Sequence, residues 1–406
     1  MNGLLFLSHR IPYPPNKGDK IRSYHLLKHL IDRYDVYMGT FVDDPADWRY
    51  RESLERMCAG SYFANIDPRW ARARSLKGLI GGRPLTLGYY WDGGLKEWVD
   101  AALGGGRIQR ALVFSSCMAQ YVMRYAGGDL HTLVDFVDID SDKWAQYGDS
   151  KAWPASWLYR REARLLSKYE REVAVRFDVS VFVSEAESEL FKRRVPEASG
   201  RITHIDNGVN ADYFSPDRDY PVPYSRQARV VVFTGAMDYW PNVDAVTWFA
   251  REVFPQVRSS VQDAWFYIVG ARPGQAVKQL SEMPNIRVTG TVEDVRPYVA
   301  HADLAVAPLR VARGVQNKVL EAMSMGKPVV ATGMALEGIA ARAGVRRADS
   351  ARAFAEEVVN LLNDVAGRRS TVMENRTCIL QHYDWSLNLA RLNDLIESGL
   401  GSRRVA

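Results

Sequence analysis

Short apolar runs that break off at a glycine or a polar loop, each followed by a helical stretch, recur along this 406-residue chain in two separate series. The first series has strands over 4–8, 34–41, 111–115, 131–136, 179–183 and 202–205, and its first helix spans about 20–33. The second has strands over 230–235, 265–270, 286–290, 304–307 and 329–332. Runs this uniformly apolar suit strands covered on both faces. Strand–helix alternation packs as a parallel sheet with helices on either side. The expected fold class is therefore α/β, with two doubly wound, Rossmann-like domains. The stretch 210–229 between the series lacks periodicity and holds Pro216, Pro221 and Pro223, which predicts a linker between domains at 1–209 and 230–382.

Composition excludes more than it selects. At 47% hydrophobic and 25% charged, the chain can bury two ordinary cores. A formal net charge of +5 tilts toward anionic partners and is too weak to argue for nucleic acid. Cys58, Cys117 and Cys378 are far apart and belong to no C-x-x-C pair, so they read as isolated thiols rather than a disulfide frame or zinc site. The N-terminal apolar run, Leu4 to Leu7, is too short for a signal peptide, and no run is long enough to span a bilayer. The expected location is cytoplasmic, or peripheral on the cytoplasmic face of a membrane.

Function is written most densely between Ala305 and Thr332, AVAPLRVARGVQNKVLEAMSMGKPVVAT. A strand ends at Pro308, a loop carries Arg310, Arg313 and Gly314, and a helix over 316–325 ends before Gly326. Such a helix aims unpaired N–H groups and a positive dipole end at its loop. With two cations and a glycine in front, the expected guest is a diphosphate. Glu321 lies one turn beyond Lys318 and can accept two hydrogen bonds from a ribose diol. Phosphate in front and ribose behind describe a nucleotide diphosphate site.

Arg310, Gly314, Lys318 and Glu321, followed by Ala322-Met323 and Gly326-Lys327-Pro328-Val329-Val330, resemble the donor motif of the retaining family-4 glycosyltransferases, which have the GT-B fold. Asn207-Gly208-Val209-Asn210 with Phe214 and Pro216 is similar to that family's linker signature, and Val183-Ser184-Glu185-Ala186-Glu187 to its strand-end serine segment. Phe233-Thr234-Gly235-Ala236-Met237 with Trp240-Pro241-Asn242 stands where the first donor-domain loop belongs. The resemblance implies two Rossmann-like domains facing across a cleft, and a C-terminal helix in 383–406 that crosses back to the first domain. It implies donor contacts at Gly235, Met237, Gly270, Val292, Arg313, Gly314, Gln316, Asn317 and Glu321, with Arg310 and Lys318 on the diphosphate as part of the catalytic set. The nucleotide-diphosphate sugar would be a co-substrate, with no cofactor and no metal. One departure stands out. The position eight before Glu321, where many members carry a second Glu, is Arg313.

In the first domain, the loop Ile11-Pro12-Tyr13-Pro14-Pro15-Asn16-Lys17-Gly18-Asp19-Lys20-Ile21-Arg22 joins a strand to a helix. Prolines stiffen it and Gly18 permits close approach. The resemblance places Gly18 beside the donor diphosphate and Lys17, Asp19, Lys20 and Arg22 on the acceptor side. The alternative is a stiff surface turn with solvated lysines. This loop, with Asp138, Ser141, Lys143 and Trp144, also resembles the sugar transferases found with bacterial exosortase (PEP-CTERM) exopolysaccharide loci. Asp138-Ile139-Asp140 spells D-x-D, the metal motif of the other large glycosyltransferase fold. In a GT-B chain that spelling is read as accidental. Asp138 or Asp140 then either meets a sugar hydroxyl or, with Ser141 and Asp142, dresses a helix N-terminus.

No residue presents itself as a nucleophile, which fits retaining enzymes in which the leaving diphosphate helps deprotonate the incoming hydroxyl. Arg69 to Ile80 mixes basic residues with Trp70, Leu76, Leu79 and Ile80. It reads either as an amphipathic stretch resting on anionic lipid, suited to a polyprenyl-linked glycan acceptor, or as a helix covering its own domain. A soluble glycan acceptor stays open. The expected activity is transfer of a sugar to a glycan or lipid-linked glycan, in exopolysaccharide or cell-surface glycan synthesis. The alternatives are a nucleotide-sugar 2-epimerase and a non-catalytic sugar-nucleotide-binding partner.

Overall fold

The computed structural model describes residues 2–15, 18–225, 228–312, 314–339 and 342–398. The chain forms two compact units, one up to Asp206 together with the segment from Leu389, the other Asn207–Asn388. Each is a parallel sheet wrapped by helices.

The first sheet has seven strands: β1 (Gly3–Ser8), β2 (Asp35–Val42), β3 (Gly60–Asn65), β4 (Ile108–Phe114), β5 (His131–Val137), β6 (Val179–Phe182) and β7 (Ile202–His204). The second has six: β8 (Arg229–Thr234), β9 (Ala264–Val269), β10 (Ile286–Gly290), β11 (Leu304–Ala307), β12 (Val329–Ala331) and β13 (Val345–Arg347). Their orders are β3-β2-β1-β4-β5-β6-β7 and β10-β9-β8-β11-β12-β13. Both start in the middle, run outward, then return and run the other way. That is the doubly wound, Rossmann-like order, and each sheet has one switch point, β1/β4 and β8/β11. The central strands are apolar on both faces because helices cover both: Leu4 to Leu7 and Val230 to Phe233 are buried throughout.

The two edge strands β3 and β13 are additions to the sequence expectation. GSYFAN is partly exposed along most of its length, and VRR has two exposed arginines, so neither carries the buried apolar signature.

The stretch expected as a linker packs on the second unit. Val209, Ala211 and Tyr224 enter that unit's core. Arg376 Nη1 donates to the carbonyls of Ala211 at 2.7 Å and Phe214 at 3.2 Å, and Val209 N donates to Tyr383 O at 2.8 Å. A Cβ on Gly208 would stand 2.7 Å from the Trp385 ring, so the Asn-Gly-Val signature is a packing requirement. The helix Trp385–Glu397 begins in the second unit and ends in the first.

Candidate functional site

Ligands of doubly wound sheets bind outside the carboxyl ends of the strands, at the switch point. In the second unit that is where β8 and β11 end. Gly235 follows β8 and Gly270 follows β9, and their backbones touch. A Cβ on Gly270 would lie 1.7 Å from the Gly235 carbonyl oxygen, so any side chain there would force the two strand ends apart. A Cβ on Gly235 would stand 2.7 Å from Asn242 Nδ2 and 3.4 Å from Lys318 Nζ. The missing side chains let the strand-end backbone close directly onto that amide and that ammonium.

Lys318 lies in the first turn of the helix Asn317–Ser324. Its Nζ donates to Asn242 Oδ1 at 2.6 Å and sits 4.3 Å from the Phe233 ring centroid. Asn242 in turn donates through Nδ2 to Ala236 O at 2.9 Å, which fixes the amide with its oxygen toward the lysine. Burial lowers the Lys318 pKa to about 7 against the opposing pull of Glu321. Burial likewise raises Glu321 to about 7 against the pull of Lys318. Among the described residues, no hydrogen bond holds the Glu321 carboxylate. A cation and a carboxylate one helical turn apart, both ready to change charge near neutrality, mark this as the chemically poised place in the unit.

Around this pair, Gly314 adopts a left-handed φ of 65° that favours glycine, and Gln316 N-caps the helix without a side-chain cap. Val319 N donates to Gln316 O at 2.9 Å, and no cap side chain takes the amides of Asn317 and Lys318. Gln316 Nε2 donates to Gly314 O at 3.3 Å, and Asn317 Oδ1 accepts from Asn207 Nδ2 at 3.5 Å. Val292 is half-buried beyond Gly290 at the end of β10. Met237 is wholly buried, so its side chain packs in the core and only its backbone is left to face a ligand; its N–H already donates to Ala271 O at 2.8 Å. Arg310 holds Asp244 with two hydrogen bonds, Nη2 at 2.5 Å and Nε at 3.0 Å. Its charge is thus matched within the unit, half in solvent. Arg313 lies outside the described residues.

The sequence reading missed Asn242 and Asp244. Both sit on the helix Trp240–Trp248, two residues apart, each holding one cation of the donor motif. In the sequence, Asn242 stood out only as part of the first donor-domain loop, with no role attached to it.

In the first unit, Gly18 opens the helix Gly18–Ile31 just after the proline loop, and Lys17 lies outside the described residues. Asp19 receives Arg10 Nη1 at 2.5 Å and faces His9 Nε2 at 3.4 Å. Burial would raise its pKa, but His9 and Arg10 outweigh that and hold it well below the carboxylate range. Arg10 also reaches Asp43 at 2.8 Å. The expectation that Lys20 and Arg22 face an acceptor is corrected. Lys20 Nζ is buried against Asp47 at 2.5 Å. Arg22 Nε is buried against Asp135 at 2.8 Å, and its Nη1 donates to Ile205 O at 2.9 Å. Both point into the domain because the helix turns them inward, where distant carboxylates neutralise them.

Asp138 follows β5, directly after Val137, whose φ of 68° is strained for a β-branched residue; Ser115, just past β4, has φ 76°. Lys143 Nζ sits 2.8 Å from Asp138 and 3.3 Å from Asp140, so a lysine is shared by the two carboxylates. Burial would lower the Lys143 pKa, but the two aspartates outweigh it and raise it above its ordinary value. Asp138 Oδ1 is buried with no hydrogen-bond partner among the described residues. The capping alternative is also revised. Ser141 N–H and Oγ donate to Glu170 at 3.0 and 2.5 Å, and Asp142 holds Arg194, so the helix start is capped from elsewhere. Burial raises the Glu170 pKa to about 8.

Two doubly wound, Rossmann-like units in one chain describe the GT-B fold. Comparison with known proteins agrees. Residues 228–364 match the model of the glycosyl transferases group 1 domain. The chain is a glycosyltransferase, and this domain is the core of its second unit. Sucrose-phosphate synthase from Thermosynechococcus elongatus is similar in structure with TM-score 0.71 and 14% identity, covering 99% of this chain and 100% of that one. WaaG, a glycosyltransferase involved in lipopolysaccharide biosynthesis, gives 0.68 and 16%, covering 97% and 99%. Anabaena HepE in complex with UDP and glucose gives 0.65 and 13%, covering 98% and 100%. At such identities the likeness is one of fold. No curated protein matches the chain by sequence.

Proposed function

We propose that this chain is a retaining glycosyltransferase of the family-4 type that takes a sugar from a nucleotide-diphosphate sugar. The observation that carries the reading is the Lys318–Glu321 pair behind the Gly235–Gly270 contact. The cation and the uncapped amides of Asn317 and Lys318 suit the diphosphate, and the Glu321 carboxylate, which no hydrogen bond holds among the described residues, suits a ribose diol. Stabilisation of the departing nucleotide diphosphate supplies the main catalytic term. Because HepE was solved with UDP and glucose, a UDP-sugar is the first donor to try. Asp138, with its unpartnered oxygen at a strained strand end, would meet a hydroxyl of the reacting sugars. The acceptor would be a glycan or polyprenyl-linked glycan, in bacterial exopolysaccharide or cell-surface glycan synthesis, with the protein on the cytoplasmic side of the membrane. No helix among the described residues is long and apolar enough to cross one. We expect neither a metal nor a resident cofactor.

Thermal-shift titration with UDP-, GDP-, ADP- and TDP-sugars tests the site. A ligand at about 100 times its dissociation constant adds about 2.7 kcal/mol. One nucleotide family should stabilise the wild type and leave Lys318→Ala and Glu321→Ala unmoved. Equal shifts in all three proteins would place the nucleotide elsewhere and sink the reading.

A further inference from the structure

The helices Pro68–Ser75 and Lys77–Ile80 turn only Ala71 and Ser75 inward. Trp70 is 76% exposed and Ile80 96%, with Leu76 and Leu79 also in solvent. The segment packs on its own domain through Ala71, Ser75 and Arg74, whose guanidinium donates to Gly88 O at 3.0 Å and Tyr89 O at 2.9 Å, and leaves these four large apolar side chains outward. A second segment completes the surface, and nothing in the sequence reading singled it out. Trp153 is 81% exposed and Trp157 57%. Trp157 lies in the first turn of the helix Ala155–Arg176, and Trp153 stands just ahead of it, before the capping Pro154. The two segments are tied together one turn further on, where Arg161 Nη2 donates to Gly78 O at 2.6 Å and to Leu79 O at 3.3 Å. Glu162, on the same turn, accepts from the amides of Leu85 and Thr86 at 2.7 and 2.8 Å. Three of the large apolar side chains on this surface are tryptophans.

Cations surround these side chains. Arg69, Arg72, Lys77, Arg83, Lys151 and Arg164 are exposed, and none makes an ion pair among the described residues. The acidic groups nearby are few: Asp67 caps its own helix, and Asp149 is taken up by Arg160 at 3.2 Å. Apolar rings that protrude, tryptophan above all, ringed by uncompensated Lys and Arg, match one kind of partner. They match a bilayer surface whose headgroups are anionic and whose interface takes up indole rings. A protein partner would have to supply both an apolar socket and an acidic rim.

We infer that this face of the first unit docks on an anionic membrane surface, through Trp70, Ile80, Trp153 and Trp157 with their flanking cations. The surface stands on its own geometry; its use, bringing the enzyme to a lipid-linked acceptor, rests on the proposed function.

The test uses the full chain and two kinds of vesicle, phosphatidylcholine alone and phosphatidylcholine with phosphatidylglycerol, in a flotation assay. The wild type should float with the anionic vesicles, much less with the neutral ones, and be released by high salt. The Trp153→Ser/Trp157→Ser and Arg69→Gln/Lys77→Gln variants should each weaken binding by about tenfold. Calorimetry is run on every variant, and both the ligand-insensitive transition of the first unit and the nucleotide-sugar shift of the second should be unchanged, which shows that the variants are folded. Anionic vesicles that do not bind the wild type, or that bind the variants equally well, overturn the inference. So does light scattering that shows a wild-type dimer and a monomeric tryptophan variant, since the patch would then join two copies of the chain. A wild type that floats but binds no nucleotide leaves this surface standing and removes the donor reading instead.

Discussion

A single protonation decides how the donor half of the site behaves. Lys318, lowered to about 7 by burial, is largely neutral above that pH, and a diphosphate binds its ammonium form. Nucleotide-sugar affinity should therefore fall as pH rises from about 7 to about 8.5, approaching tenfold per unit, because each unit removes tenfold of the competent form. Calorimetry against pH checks this, and the slope should vanish in Lys318→Met; a slope that survives there would assign the titration to another group. The same shift bears on folding. Between about pH 7 and the ordinary lysine value the unfolded chain holds a proton that the folded chain lacks, so this group's contribution to stability rises with pH in that window. Glu321 acts in the window below, where the folded chain holds the extra proton and stability falls as pH climbs to about 7. Sterics make the companion prediction. Gly270→Ala puts a Cβ 1.7 Å from the Gly235 carbonyl, so the two strand ends must separate. A loss of about 1–3 kcal/mol is expected, with donor affinity reduced as Gly235 moves off Asn242 and Lys318. Full retention of both Tm and affinity would show that the close approach is dispensable.

At the scale of elements, the helix Gly18–Ile31 is held by charge as much as by its apolar face. Arg22 spans to Asp135 on β5 and to the carbonyl of Ile205 just beyond β7, and Lys20 spans to Asp47. Asp135 is almost fully buried, and burial raises its pKa above its ordinary value despite the guanidinium. Arg22→Met should lower unfolding stability by about 3–5 kcal/mol, because it strands a buried carboxylate. Arg22→Met with Asp135→Leu should recover most of that loss in denaturant titration; no recovery would mean that the arginine matters through packing alone. This helix also shows where sequence reading runs out. The interior strands and the strand-end glycines were legible, since uniform apolar runs and chain-breaking glycines are local signals. The loop and helix that carry Arg310, Lys318 and Glu321 were legible too, because a strand end, a glycine and a helical period are local signals. Lys20 and Arg22 were not. Beside a glycine loop they look solvated, and their carboxylates lie 27 and 113 residues away. Asn242 escaped for the same reason: its meaning is a contact with a lysine 76 residues on. The edge strands β3 and β13 escaped because a half-exposed strand has no distinct apolar pattern.

On the scale of the whole molecule, the chain leaves the first unit at Asp206, builds the second, and returns to the first at Leu389. The returning segment is integral to the first unit. Asn393 pairs with His29 at 2.8 Å, Glu397 accepts from Tyr34 at 2.5 Å and from Arg110 at 2.8 Å, and the Leu395 carbonyl meets His131 at 2.9 Å. Leu392 and Ile396 are fully buried. Removing everything after Asn388 strips those two side chains and four polar contacts from the first unit while leaving the donor residues untouched. The two apolar side chains alone are worth about 1.5–3 kcal/mol each. Because two units need not unfold as one, calorimetry can separate them. The transition that a bound nucleotide sugar raises belongs to the unit of Lys318 and Glu321, and it should survive truncation with its ligand shift intact. The other transition should fall by several degrees or be lost. If truncation instead lowers the ligand-sensitive transition, the C-terminal helix supports the donor unit, and the division of labour between the two halves of the chain must be redrawn.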